Sequence, residues 1–451
     1  MDKASILIKD AKVVNEGRIT EADVLVRGGR VHKIAPGIAA SHDEQVLEAN
    51  GCFLLPGFID DQVHFREPGL THKGDIATES AAAVAGGTTS FMDMPNVKPA
   101  TTNRQALAHK YASAAGRARA NYAFYFGATN DNIEEIRRLD AGETCGIKVF
   151  MGASTGNMLV DDPEVLAQIF ADAPTLIATH CEDSPMIREN EQAYREKYGE
   201  DVPIQMHPLI RSEESCYKSS SFAVELARQH DARLHVLHLT TARELELFDA
   251  GPVAGKSITA EVCVHHLFFD QSRYADLGAR IKCNPAIKTA ADREGLLAGL
   301  VNDRIDVIAT DHAPHTLEEK SESYFKSPAG LPLIQHAMLT LLEHFHDGHL
   351  PLELIVNKTS HSVAELFGIK DRGYIREGYW ADLVLVDTER PTLVSTDNIL
   401  AKCGWSPFEG YEFRSTIAAT LVNGVVAYRD GALSDAILGQ RMECHTSISS
   451  S

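Results

Sequence analysis

An apolar run at residues 54–69, LLPGFIDDQVHFREPG, ends in polar side chains spaced two apart: Gln62, His64 and Arg66. If residues 58–66 form a strand, these three share one face, because alternate side chains of a strand point the same way. An amide, an imidazole and a guanidinium aimed into one space suit a metal held beside an anionic group. A polar strand end in solvent would carry the same letters, so other parts of the chain must decide.

The same ending recurs. TTSFMDMPN (88–96) finishes on Asn96, CGIKVFMG (145–152) holds Lys148, TLIATHCE (175–182) holds His180 and RLHVLHLT (233–240) holds His238. IDVIATDHAP (305–314) carries Asp311, with His315 just beyond. Three imidazoles and a carboxylate suit a divalent ion such as zinc, and a catalytic zinc keeps one position for water. Singly, each has a plainer explanation. His180 or His238 can be a hydrogen-bonded core histidine, Asp311 can cap a turn, and His235 reads as structural. Lys148 is harder to explain away, since a buried ammonium with nothing to neutralise it is costly. Their joint occurrence on different strand ends favours a metal site.

What must position these groups is legible in the spacing. Eight apolar, β-branched runs begin near residues 58, 88, 121, 145, 175, 233, 258 and 305, and segments of helical composition separate them. That alternation predicts an α/β fold, a (β/α)8 TIM-type barrel, whose active groups come from the C-terminal ends of its strands. Both chain ends read differently, as short strands with hairpin turns at Gly28-Gly29 and Asn423-Gly424. They predict one small β domain built from residues 1–54 and 375–451 around a barrel of 55–374. The Ser-rich tail 446–451 reads as frayed.

The chain has 451 residues, 44% hydrophobic and 24% charged, with a formal net charge of −20. So acidic a surface argues against nucleic acid or anionic membrane as a partner. It also means that an anionic substrate needs its own local cations, which gives Arg66 added weight. No apolar run has the length of a membrane span, no signal-peptide core is present, and the eight cysteines are scattered. These features predict a cytoplasmic protein with reduced thiols.

DDQVHFREPGLTHKGD, FMDMPN, IKVFMGASTG, THCED, HVLHLTTARE, EVCVHHLFF, IKCNPAIK, ATDHAPHTLEEK and REGYWADLVLVD resemble, in order and over almost the whole chain, the dihydroorotases. These are cyclic amidohydrolases of the metal-dependent amidohydrolase superfamily. The resemblance implies a barrel with a small β-sandwich formed by the chain ends. It implies reversible, zinc-dependent hydrolysis of (S)-dihydroorotate to N-carbamoyl-L-aspartate in pyrimidine (UMP) biosynthesis. His64 would be a zinc ligand, and Lys148, carboxylated by CO2, would bridge two zinc ions. His180 and His238 would hold the second zinc, and Asp311 would be both ligand and proton acceptor. Arg66 and Asn96 would hold the substrate carboxylate, Asn284 and His315 the ring, and the backbone of Pro328, Ala329 and Gly330 would close over it. A homodimer, and association with aspartate transcarbamoylase, are further implications.

One position departs. The family pattern D-x-H-x-H reads here Asp60-Asp61-Gln62-Val63-His64, so Gln62 stands where a histidine ligand is usual. A neutral amide oxygen is a poorer zinc ligand than imidazole. The expectation is a weakened first zinc position beside an intact second one. Two alternatives follow: a catalytically impaired scaffold partner of aspartate transcarbamoylase, or an allantoinase-type cyclic amidase.

Overall fold

The computed structural model describes residues 5–140, 142–152 and 157–445. The tail 446–451 and residues 153–156 of the IKVFMGASTG segment lie outside them.

Eight parallel strands close into a barrel. They are β1 (Phe58–Val63), β2 (Thr88–Asp93), β3 (Asn121–Phe124, continued by Phe126–Gly127) and β4 (Ile147–Phe150). Then come β5 (Ile177–His180), β6 (Leu234–Val236), β7 (Ile258–Cys263) and β8 (Val307–Ala309). Each pairs with its successor. Closure comes where Val63 bridges His312 and the His64 N–H donates to the His312 carbonyl at 2.7 Å. Seven of the eight strands are buried along their whole length, which is why they read as continuous apolar runs and not as alternation. Gly57 admits β1 to the barrel, since a Cβ there would lie 2.1 Å from Thr89 Oγ1.

The sequence suggested a first strand reaching Arg66, but β1 stops at Val63. Arg66 enters its space from a left-handed residue, φ 69°, rather than by strand alternation.

Helices on the outside begin where side chains can satisfy their free N–H groups. Asp75 and Thr78 form a capping box for Ile76–Ala85, Thr289 and Asp292 one for Ala290–Val301, and Thr316 and Glu319 one for Leu317–Lys320. The long connection after β5 carries two long helices, Ser184–Tyr198 and Glu213–His230, with the short helix His207–Ile210 between them. The main core packs these helices on the strands through residues such as Phe58, Phe91, Phe124, Ile177 and Leu296. Each such side chain contributes about 1.5–3 kcal/mol by leaving water.

Strands from both ends of the chain join in one nine-stranded sheet. Phe53–Pro56, the last strand before the barrel, pairs antiparallel with Leu383–Asp387 just after it. Two-residue turns with positive φ join its hairpins, Gly28-Gly29 and Asn423-Gly424. The sandwich has its own core, including Ile6, Val24 and Leu383. Two later segments return to the barrel. Trp405 Nε1 donates to the His315 carbonyl at 2.8 Å, and Tyr122 of β3 exchanges backbone bonds with Gln440 and Met442.

Candidate active site

A cavity of about 340 Å³ opens at the C-terminal ends of the barrel strands. Gln62, His64, Arg66, Asn96, Lys148, His180, His238, Asn284, Asp311, His315, Pro328, Ala329 and Gly330 all line it. Every residue singled out by its place in the sequence is therefore brought to one space.

On one side, His180 Nδ1 and His238 Nε2 converge to 3.0 Å. His180 Nε2 lies 2.8 Å from Glu182 Oε2, which also accepts from Arg211 at 2.6 Å. With Nε2–H donating to Glu182, the Nδ1 lone pair faces His238. A carboxylate that fixes the outer nitrogen of a histidine is the usual brace for a metal ligand. Burial pushes His238 well below its ordinary pKa, with help from His180 and Lys148, so the ring is a neutral donor. Its φ of 42° is left-handed, and Glu261 Oε1 holds its backbone N–H at 2.9 Å. Such a conformation costs about 1–3 kcal/mol, and the surrounding bonds must hold it in place.

Lys148 lies between the two sides. It is 1% exposed and its ammonium has no hydrogen-bond or ion-pair partner among the described residues. Burial pushes it down to about 8, with Asp311 and Glu261 partly offsetting the fall. An amine with that pKa, aimed into a cavity, is chemically ready to take up CO2.

On the other side, His64 Nδ1 lies 2.8 Å from Asn96 Oδ1 and His64 Nε2 lies 3.1 Å from Asp311 Oδ1. Once Nδ1–H donates to Asn96, a neutral ring turns its Nε2 lone pair on a carboxylate oxygen. Two acceptors face each other there, and only a proton or a cation between them removes the conflict. Burial alone would raise the Asp311 carboxyl, but His64 brings it below its ordinary value. Gln62 does not face the cavity as a ligand. Its Nε2 donates to Asp311 Oδ1 at 3.1 Å, because the carboxylate accepts from the NH2 and would repel the amide oxygen. These donors fit divalent ions: His180 and His238 could hold one, His64 and Asp311 another, with Lys148 between.

Arg66 forms the third wall. Nε donates to the Pro314 carbonyl at 2.9 Å and Nη2 lies 3.0 Å from His315 Nε2. No carboxylate pairs with it among the described residues, although it is only 7% exposed. Burial lowers it to about 10, so it remains a cation at neutral pH. Asn284 Oδ1 is buried with no hydrogen-bond partner among the described residues. Lys73 Nζ reaches His315 Nδ1 at 2.9 Å and Glu319 at 3.0 Å. Burial, followed by the charges of Arg66, Lys73 and Lys320, holds the His315 ring neutral.

Lys73, Lys98, Leu70, Phe150 and Ala313 line the cavity without having been expected there. Lys73 stands in GLTHKGD, inside a segment that carried the resemblance, and its charge was the available signal. Glu182 follows His180 by two residues in THCED and was equally visible. His235 stays away from the cavity, 3.3 Å from Asp61 and 3.7 Å from Glu261. Burial would lower it, but the two carboxylates hold it up at about 9. With those acids it forms a buried His/Asp/Glu cluster inside the barrel.

A parallel barrel with imidazole, carboxylate and lysine groups at its C-terminal mouth defines a metal-dependent hydrolase. The sequence profile of the amidohydrolase family matches residues 53–427. An allantoinase from Bacillus velezensis is 31% identical over 434 residues, covering 94% of each chain. A dihydroorotase from Methanosarcina acetivorans is 32% identical over 419 residues, 90% of this chain and 88% of that one. The solved L-hydantoinase (dihydropyrimidinase) of Arthrobacter aurescens matches with a TM-score of 0.91 at 26% identity, covering 98% of this chain and 100% of that one. This chain belongs to the amidohydrolase family, within its dihydroorotase, allantoinase and hydantoinase group of cyclic-amide hydrolases. No helix among the described residues is long and apolar enough to cross a membrane.

Proposed function

We propose that the protein is a dihydroorotase that opens the ring of (S)-dihydroorotate to N-carbamoyl-L-aspartate and runs the reverse closure. The observation that carries this reading is Arg66: a buried guanidinium in the cavity wall with no carboxylate among the described residues to pair with. A planar fork of donors suits a carboxylate and discriminates against rings that lack one. Asn96, whose Oδ1 is engaged by His64, keeps its NH2 for the same group.

His64, His180, His238, Asp311 and a carboxylated Lys148 would hold zinc. Bound there, zinc supplies a water of lowered pKa and a Lewis acid for the amide carbonyl. The protein's own part is proton handling and placement. Asp311 Oδ1 accepts from Gln62, while Oδ2 has no partner among the described residues. Oδ2 therefore takes the proton from the attacking water and returns it to the ring nitrogen as the C–N bond breaks. Asn284 and His315 hold the ring's polar edge, and the backbone at 328–330 covers it.

Purified protein supplied with zinc and bicarbonate is expected to form N-carbamoyl-L-aspartate from L-dihydroorotate. Arg66→Ala should abolish that turnover and leave zinc content unchanged; loss of zinc as well would refute the assigned role. The similarity to an allantoinase makes allantoin and hydantoin the competing substrates, and faster turnover of either would overturn the reading. Gln62 motivates the other competitor, a scaffold partner of aspartate transcarbamoylase, which no turnover of any of these rings would favour.

A further inference from the structure

Behind the wall at 328–330 lie two buried lysines with no part in the chemistry above. Lys320 ends the short helix Leu317–Lys320 and is 2% exposed. Its Nζ donates to the carbonyls of Lys282 at 3.0 Å, Pro328 at 2.9 Å and Gly330 at 3.0 Å. Three acceptors use all three N–H bonds of an ammonium, whereas a neutral amine has only two to offer. Lys282, 7% exposed, donates to the carbonyls of Tyr324 at 2.5 Å and Ser327 at 2.7 Å. The two cages are joined, because the Lys282 carbonyl also accepts the Gly330 N–H at 2.9 Å.

Neither lysine has an ion-pair partner among the described residues. Burial pushes Lys282 down to about 8, and burial with the charge of Lys282 pushes Lys320 down to about 7. The opposite face of the same wall touches the cavity. Ala329 O lies 3.0 Å from His315 Nε2, and a Cβ on Gly330 (φ 141°) would meet the Ala313 carbonyl at 2.5 Å. The carbonyls of Tyr324, Ser327, Pro328 and Gly330 thus meet the two lysine side chains, while that of Ala329 faces His315.

We propose that Lys282 and Lys320 are positioning residues that fasten the 324–330 wall over the cavity and select an anionic ring against a neutral one. Fastening follows from the bonds: without the ammonium groups, four carbonyls of the wall are left buried and unpaired. Selection follows from the charge. When protonated, these two lysines, with no carboxylate beside them among the described residues, raise the potential across the wall, where a chain of net charge −20 otherwise repels anions. This rests on the reading that the cavity takes dihydroorotate.

The test uses the full-length zinc-loaded protein with Lys320→Met and Lys282→Met, which keep side-chain length and remove the N–H donors. Hydrogen exchange of the 324–331 amides is followed without ligand. Binding of orotate, an anionic ring, is compared with that of uracil, the same ring without its carboxylate, by calorimetry. Exchange should quicken in both variants. Orotate should bind about ten- to a hundredfold more weakly, while uracil should shift less than about threefold. Unchanged exchange, or equal weakening of both ligands, overturns the proposal. Should Lys320→Met fail to fold, Lys282→Met carries the same comparison. If unaltered protein binds neither ring, the functional reading falls, and exchange alone decides the clamp.

Discussion

The two sides of the metal cavity are built to different standards. On the His180 side, two neutral imidazoles converge and one is braced by Glu182, which Arg211 holds in turn. On the His64 side a single imidazole faces Asp311, and the position beside it is an amide that spends its donor on that same carboxylate. A histidine-to-glutamine change does more here than weaken a ligand. Where the resemblance implies a ligand, Gln62 is a hydrogen-bond brace that holds one oxygen of Asp311. On the proposed reading, an ion on the His180 side would be held more tightly than one on the His64 side.

Breaking what the two sides share should have the largest effect. Lys148→Ala is expected to lower kcat/KM for dihydroorotate at least about a thousandfold and to strip zinc from both sides. Added short carboxylic acids should restore part of the activity, and failure of every such acid would count against a bridging carbamate. Next comes His238→Asn, which removes one of two imidazoles; zinc retained per subunit after dialysis should fall below one equivalent. Retention equal to the unaltered protein would mean that the His180 side is not the tighter one. Gln62→His turns the comparison around. It should raise affinity for zinc at the first position, beside His64 and Asp311, about ten- to a hundredfold, read by titrating zinc-depleted protein. If the unaltered protein fills both positions evenly at limiting zinc, the asymmetry is wrong. Smallest is Glu182→Gln, which keeps a hydrogen bond but loses the charge. About a tenfold loss of zinc affinity is expected, and no loss would mean that the Glu182 charge does not support His180.

Much of this was visible before any coordinates. All eight barrel strands, their apolar starts and their polar ends lie in the sequence, because strands buried on both faces leave unbroken apolar runs. The groups at those ends could be collected by rule, since a parallel barrel has one functional mouth. What pattern could not supply was pairing across the fold. Lys320 stands in a run of charges, EEK, and nothing in those letters shows that its side chain turns inward to three carbonyls. Arg66 fitted a strand alternation that stops three residues short of it. Its place comes instead from a left-handed backbone, which no side-chain spacing encodes. Gln62 departs from the family pattern in plain letters, but its donor role depends on Asp311, 249 residues away.

The Trp405 indole, fastened to the His315 carbonyl, has a consequence for the order in which the enzyme comes into being. His315 lines the cavity beside Arg66, and its backbone is braced by a residue translated 90 positions later. Strand β3 likewise waits for Gln440 and Met442. A growing chain can complete its eight strands and still lack the finished mouth. Catalytic competence therefore arrives only with the last tenth of the polypeptide, and a chain cut short of Trp405 would be a barrel without a settled His315.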